Sequence, residues 1–232
     1  LRGPLLKPAQ LASTAAWVAR HARSFDVVHA HCLSATAIGA AAGALLRGVP
    51  VLVKPSLGGP DAEMAKLRAS ASWPAVRTIL RRVDRFAALD DEIARELVDA
   101  GVRDASIVRV DNGIDVEAFR PADAGERATI RAEIGLPDGR LVLFLGQLVD
   151  RKGIVETLAA WRAVARSFPD AHLVVAGTGP REPEVRAAAR DAGARVRYLG
   201  LVDDVTSVVR AADVLLLPSR NESFGNAIVE AM

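Results

Sequence analysis

The sequence predicts an α/β protein of parallel sheets arranged in two successive units. Three observations carry that reading. Continuous apolar runs recur along the chain, among them Val51-Leu52-Val53, Leu141-Val142-Leu143-Phe144-Leu145 and Val214-Leu215-Leu216-Leu217, and runs of this length read as buried strands. Stretches of helical periodicity separate them. Pro, Gly and charge thicken between Pro121 and Gly139, where one unit gives way to the next. Strands alternating with helices run parallel through right-handed crossovers. Ligands of such sheets bind beyond the carboxyl ends of the strands.

The elements follow in order. Gln10 to Phe25 reads as a helix, with Leu11, Ala15, Val18, Ala19 and Ala22 at a 3.6 spacing. Its other face is basic. A solvated face is favoured there, with contact to a membrane surface as the second reading. Asp26 to His31 is a short strand. Ser34 to Arg47 is a small-residue helix ended by Gly48-Val49-Pro50, and Val51 to Lys54 is the next strand. The loop Pro55 to Pro60 leads into a long helix, Asp61 to Arg82. Arg85 to Leu89 and Ala105 to Val110 are strands around a helix at Asp91 to Ala100. Asp111-Asn112-Gly113-Ile114-Asp115 is a turn signal. The Pro121–Gly139 stretch holds one short helix, Glu126 to Ile134.

The second unit opens on Leu141 to Leu145, followed by a loop, Gly146 to Gly153, and a helix, Ile154 to Phe168. His172 to Ala176 is a strand. Gly177-Thr178-Gly179-Pro180 opens the helix Glu182 to Ala192, a weak glycine signal that also suits a tight strand-to-helix turn. Val196 to Leu199 is a strand, Asp204 to Arg210 a helix, and Val214 to Leu217 the last buried strand. A helical pattern starts near Phe224. The expected domains are 1–120, a connection at 121–139, and 140–232.

Composition bounds the function. The chain has 232 residues, half of them hydrophobic and only 4% aromatic, so its cores must be mostly Ala, Val and Leu. Lys+Arg is 30 and Asp+Glu is 28, a net charge of +2 that gives no electrostatic case for nucleic acid. Only four of the basic residues are Lys (Lys7, Lys54, Lys66, Lys152), so each lysine is a candidate for a specific task. Cys32 is the only cysteine. It excludes an internal disulfide, suggests no thiolate metal site, and fits a reducing, cytoplasmic setting. No apolar run reaches the roughly 18–20 residues that span a bilayer, and no signal peptide is visible. The chain begins with Leu and stops inside a helical pattern, so both domains are expected to be incomplete.

The last eleven residues carry the strongest chemical signal. Glu222-Ser223-Phe224-Gly225-Asn226-Ala227-Ile228-Val229-Glu230-Ala231-Met232 puts one carboxylate before a helix and one in its second turn. Backbone N–H groups at a helix start attract anions. The carboxylates suit hydroxyls, and a ligand with both phosphates and hydroxyls is a nucleotide-sugar.

This stretch, with the Ala212-Asp213-Val214-Leu215-Leu216-Leu217-Pro218-Ser219 strand before it, resembles the Glu-x7-Glu signature of family-4 retaining glycosyltransferases. The resemblance runs from about Val27 to Met232. It includes Asn112-Gly113-Ile114-Asp115 through Phe119-Arg120-Pro121, similar to the segment that closes the family's first domain. It implies the GT-B fold, two Rossmann-like domains facing across a cleft. The first would hold the acceptor, and the loops after His29, Lys54, Leu89 and Val110 should face that cleft. The second would hold the donor.

The resemblance also implies residue roles. Gly146-Gln147-Leu148-Val149-Asp150-Arg151-Lys152-Gly153 is similar to the family's diphosphate-binding motif. Lys152 takes the motif's lysine position, while Gln147 stands where the family has Arg; Arg151 is the candidate substitute. Glu222 would contact the donor sugar and Glu230 the nucleotide ribose. Gly200, Leu201 and Val202 would meet the base, and Ser223, Phe224, Gly225 and Asn226 would offer backbone amides to the donor. The family's cleft histidine is missing from the Lys54-Pro55-Ser56 loop, so His31, Lys54 and Ser56 are the acceptor-side candidates. Lys152, Glu222 and His31 are the catalytic candidates, with no protein nucleophile implied. A donor phosphate oxygen would take the acceptor's proton. No metal and no cofactor are expected. The acceptor would be a sugar, a lipid-linked or a small molecule. A bacterial cell-envelope, polysaccharide or glycolipid pathway follows from the family, with peripheral contact at the inner face of the membrane as one setting. The competing readings are a nucleotide-sugar epimerase on the same fold and a fragment that binds nucleotide without turnover. Nicotinamide dehydrogenases are disfavoured, because no Gly-x-Gly-x-x-Gly opens a helix.

Overall fold

The structure, a computed structural model, describes residues 8–232. The chain divides into two units. One is made of the chain up to Asn112 together with Glu222–Phe224, the other of Gly113–Asn221 together with Gly225–Met232. Each carries one four-stranded parallel sheet.

In the first unit the order is α1 (Pro8–His21), a 3-10 turn (Ala22–Ser24), β1 (Val28–His31), α2 (Ala35–Leu45), β2 (Val51–Lys54), α3 (Glu63–Arg68), α4 (Trp73–Leu80), β3 (Arg85–Ala88), α5 (Asp91–Asp99) and β4 (Ile107–Arg109). The sheet order is β1-β2-β3-β4. Two helices start on side-chain caps, Ser34 accepting from the Ala37 N–H and Asp90 from the Ile93 N–H. Each cap satisfies a donor that the first helical turn leaves unpaired. Phe86, Leu33, Ile38, Met64, Leu67, Leu80, Ile93 and Leu97 form a fully buried centre. The small residues of α2 have a steric purpose. A β-carbon on Gly39 would lie 2.5 Å from the Leu11 carbonyl oxygen, and one on Gly43 would collide with the Ala15 carbonyl. The α1 backbone therefore lies directly on α2.

One expected element differs. The single helix over 61–82 is two, α3 and α4, broken at Ala69–Ser72. Pro74 causes the break: it sits in the first turn of α4, lacks an N–H, and clashes with a helical carbonyl four residues back. The intervening turn is closed by the Trp73 N–H on the Ser70 carbonyl and the Ser72 N–H on Ser70 Oγ.

The second unit runs α6 (Ala124–Glu133), β5 (Arg140–Leu145), a 3-10 turn (Asp150–Lys152), α7 (Ile154–Ser167), β6 (Ala171–Ala176), α8 (Glu182–Arg190), β7 (Val196–Gly200), α9 (Val205–Ala211), β8 (Val214–Leu215) and α10 (Asn226–Ala231). Its sheet order is β7-β6-β5-β8. Side chains alternate across the sheet with the period of two that a strand imposes. Leu141, Leu143, Leu145, Val174 and Ala176 face one core, together with Val208 and Ala211 of α9. Phe144, Leu173 and Val175 face the other, with Trp161 and Ala165 of α7 and Val185 of α8.

The stretch read as a connection packs as part of this unit. Ala122, Ile130 and Leu136 are buried in the α9-side core. A capping box starts α6, with Asp123 and Glu126 accepting from each other's backbone N–H. Asp213 holds the stretch down. Its carboxylate accepts from the Leu141 N–H at 2.7 Å, Arg127 at 2.7 Å and Arg131 at 3.0 Å. Burial alone would raise that carboxyl, but these donors outweigh it and hold it below the usual carboxylate range.

The last strand is shorter and less covered than expected. β8 spans two residues at the edge of the sheet, and Val214 is 56% exposed. α10 begins at Asn226 rather than near Phe224, because Gly225 adopts a left-handed φ of 74° and stands outside the helix.

Candidate functional site

In the second unit four parallel strands end at one edge, and their loops are stitched together by main-chain bonds. The Gly146 N–H donates to Ala176 O at 3.0 Å, the Leu148 N–H to Thr178 O at 2.9 Å and the Gly177 N–H to Gly200 O at 2.7 Å. The Gly177-x-Gly179 pair serves this packing. A β-carbon on Gly177 would overlap the Gly146 carbonyl, and one on Gly179 would lie 2.6 Å from Leu148 O.

The loop after β5 then folds into the 3-10 turn Asp150–Lys152, which carries Arg151 and Lys152. Gly153 closes it with φ 75° and caps α7, its carbonyl accepting from the Thr157 N–H and Oγ. The stretch after β8 lies along this turn. The Arg220 N–H donates to Arg151 O at 2.8 Å, and the Arg151 guanidinium donates to Asn221 O at 3.4 Å. Arg220 also pairs with Glu156 on α7 at 2.5 Å. The structure therefore brings the Arg151–Lys152 turn against the residues that lead into Glu222. Arg151 is already engaged at Asn221, so it is a tether between loops as well as a candidate cation.

Of the other expected donor-side residues, Gln147 and Gly200 to Val202 stand at the same strand ends. Gln147 is exposed, and Gly200 ends β7. Leu201 is 76% exposed, while Val202 rests on the α9-side core. Glu222, Ser223 and Phe224 are half-buried and group with the first unit by their contacts. Ser223 Oγ accepts from the Gly58 N–H at 2.9 Å in that unit. The helix amides expected from Phe224 onward start later, since α10 begins at Asn226. Glu230 lies half-buried on α10, and burial raises its carboxyl above the usual value.

The acceptor-side candidates form a second cluster, in the first unit. His29 and His31 project from one face of β1, opposite the buried Ala30, with ring centroids 4.4 Å apart. His31 pairs with Lys54 in the β1–β2 register. Lys54 Nζ donates to Asn112 Oδ1 at 2.6 Å. Asn112 thus fixes a lysine; the turn expected over 111–115 falls later, at residues 116–119, where Asp115 Oδ1 accepts from the Glu117 and Ala118 N–H. Ser56 Oγ donates to Glu63 at 2.5 Å. Burial, then His31 and Lys54, lower the His29 pKa and favour its neutral form. His29 was not singled out in the sequence, although its two-residue spacing from His31 on a strand places both on one face.

Also unforeseen is Arg181, at the start of α8. It grips Asp150 with two nitrogens, at 2.6 and 3.1 Å, and Glu184 with a third at 2.8 Å. Among the described residues no group of three or more His, Cys, Asp or Glu is placed to hold a metal ion, and no helix is long and apolar enough to cross a membrane.

Two parallel α/β units, each with its candidate residues at the carboxyl ends of the strands, define the GT-B class of glycosyltransferase fold. Comparison with known proteins makes the assignment specific. The chain belongs to the glycosyltransferases whose two domains are described as Glycosyl transferase 4-like domain, matched by residues 1–113, and Glycosyl transferases group 1, matched by residues 139–232.

Phosphatidyl-myo-inositol mannosyltransferase of Mycolicibacterium smegmatis is 34% identical over 93% of this chain and 53% of its own length. The Arabidopsis thaliana sulfoquinovosyl transferase SQD2 is 25% identical over 89% of this chain and 41% of its own length. The chain thus spans about half the length of these relatives or less. Among solved structures, Anabaena HepE in complex with UDP-glucose superposes with a TM-score of 0.76 at 21% identity, covering 98% of this chain and 62% of that one. A glycosyltransferase from Rickettsia africae superposes with a TM-score of 0.69 at 15% identity, covering 100% and 62%. These likenesses show the shared fold.

Proposed function

We propose that this chain serves a retaining glycosyltransferase that moves a sugar from a nucleoside diphosphate donor to an acceptor hydroxyl. The observation that carries the reading is the Asp150–Lys152 turn, held at the end of β5 against the stretch leading to Glu222. A rare lysine on that turn supports the reading, because ligands of parallel sheets bind beyond the carboxyl ends of the strands. Relatives named for mannosyl, sulfoquinovosyl and inositol-phosphate glycosyl transfer support the reaction class. Neighbours solved with UDP and UDP-glucose support a nucleotide-sugar donor.

In the proposed reaction the bond between the anomeric carbon and the diphosphate breaks, and a bond to the acceptor oxygen forms on the same face. The acceptor's proton passes to a diphosphate oxygen. Negative charge grows on the leaving diphosphate, so a fixed cation there counts most in the transition state. Lys152 takes that role and Gln147 adds an uncharged donor. Glu222 accepts from the donor sugar's hydroxyls and Glu230 from the ribose. His31, Lys54 and Ser56 contact the acceptor. No metal is needed in this scheme. Relatives named for phosphatidylinositol acceptors suit a glycolipid product, and the proposal extends to a cell-envelope pathway at the inner face of a membrane.

A thermal-shift panel of UDP-, GDP- and ADP-sugars tests the reading. The true donor raises the unfolding temperature, because a ligand that binds only the folded chain stabilises it by about 2.7 kcal/mol at a hundred times its Kd. If the whole panel leaves unfolding unchanged and calorimetry detects no binding, the reading fails.

A further inference from the structure

We propose that Asp150 and Arg181 form a positioning clamp that holds the Arg151–Lys152 turn in register for the donor diphosphate; the proposal rests on the donor reading above. Asp150 is the first residue of the turn and Lys152 the last. Both Asp150 oxygens accept from one edge of the Arg181 guanidinium, Nε and Nη2, at 2.6 and 3.1 Å, while its remaining amino group donates to Glu184 at 2.8 Å. A planar fork held on two sides fixes orientation as well as distance.

Arg181 acts twice on the same loop. Its backbone N–H donates to Leu148 O at 3.0 Å, so one residue holds the loop by main chain at Leu148 and by side chain at Asp150. The opposite flank is held by the Arg220 N–H on Arg151 O. Between these flanks the turn is closed by its own bonds, from the Lys152 N–H to Val149 O and the Gly153 N–H to Asp150 O, both 3.0 Å. Loss of the Arg181 side-chain grip leaves the Asp150 end held by main-chain bonds alone, which loosens the orientation of the turn that carries Lys152.

The clamp also settles an electrostatic conflict. A carboxylate two residues from the diphosphate lysine repels the very ligand that the lysine attracts. Arg181 neutralises it and lowers the Asp150 pKa, so the Asp150 charge is offset within the turn. Stabilising the fold is a weak reason for the pair. The Asp150 side chain is 64% exposed, and exposed ion pairs contribute little to stability.

The test measures UDP and GDP affinity by calorimetry, with melting temperature in parallel, for the unaltered chain, Lys152→Ala, Arg181→Gln, Arg181→Lys, Asp150→Asn and the double variant Asp150→Asn/Arg181→Gln. Arg181→Gln should weaken binding about tenfold with an unchanged melting temperature. Arg181→Lys should recover only part of that loss, since lysine supplies charge without the fork. The double variant should bind better than Arg181→Gln alone, because it also removes the repelling carboxylate; a purely structural role would not give that sign. Nucleotide binding that falls with Lys152→Ala yet survives Arg181→Gln overturns the clamp and leaves the donor reading standing. A proportionate fall in melting temperature also overturns it, by making the pair merely structural. If the unaltered chain binds neither nucleotide, the donor reading falls and the clamp with it.

Discussion

Gly153 and Pro218 meet where no side chain fits: a β-carbon on Gly153 would overlap the Pro218 carbonyl oxygen, and the Gly153 backbone is left-handed at φ 75°. This contact seats the residue after Lys152 against the stretch that follows β8. Gly153→Ala should therefore cost about 1–3 kcal/mol for the backbone alone, with the steric overlap added. Chemical denaturation measures the loss. An alanine variant as stable as the parent would show that the loop shifts freely and that the seating is not tight.

Lys152→Ala should weaken nucleotide affinity by roughly 10- to 100-fold, the worth of one charge-assisted hydrogen bond. It should also lower turnover by about 10²–10³-fold, as for one preorganised donor to a developing charge. Gln147→Arg should act oppositely and tighten nucleotide binding, since it restores a cation at an exposed position of the same loop. Calorimetry on both variants checks the pair. Unchanged affinity in Lys152→Ala removes the lysine from the mechanism.

Asp213 gives the second unit an acid sensitivity. Its pKa is depressed in the fold, so its stabilisation is complete above the unfolded carboxylate value of about 3.9 and is lost as pH falls through the folded value. Asp213→Ala should cost about 2 kcal/mol at neutral pH by stranding the Leu141 N–H and two arginines. The variant's stability should then be flatter between pH 5 and pH 3 than the parent's, a profile that urea titrations at stepped pH would reveal. Equal slopes would rule this carboxylate out as the sensor.

Glu230 has the opposite sign. Burial raises its pKa, so its contribution favours folding at low pH and is lost as pH rises through the raised value. Glu230→Gln should raise the melting temperature at pH 7, because it removes a half-buried charge. The same change should weaken nucleotide binding about tenfold, because an ionised carboxylate accepts ribose hydroxyls better than an amide does. In the parent, affinity should fall as pH drops through the raised Glu230 value. A variant that loses stability while keeping its affinity contradicts both halves of this assignment.

Much of the fold was legible from local pattern. The run Val51 to Lys54 is a strand in sequence and in structure, because Pro50 and Pro55 bracket it and three apolar residues fill it. Gly48 and Pro50 likewise marked the end of α2 within a few residues. The break between α3 and α4 escaped notice because Ala-Ser-Ala-Ser is compatible with a helix; Pro74 was the readable signal. The sequence overstated β8, because hydrophobicity alone does not distinguish an edge strand from a central one. The candidate site divides the same way. Lys152 and the carboxylates stood out by residue type and motif. Arg181 did not, because a partner 31 residues from Asp150 leaves no periodic trace. Asp213 was hidden similarly, its partners Leu141, Arg127 and Arg131 lying more than seventy positions away.

The backbone contact of α1 on α2 sets an uneven tolerance to change. At positions 39 and 43 even one added methyl meets a main-chain oxygen that cannot step aside, whereas Thr36 on the same helix is exposed. A saturation library across α2 would thus collapse to a single residue at two sites one helical turn apart and stay permissive on the solvent side. That imprint in a pool of survivors would record how near the two helical axes run, with no coordinates needed.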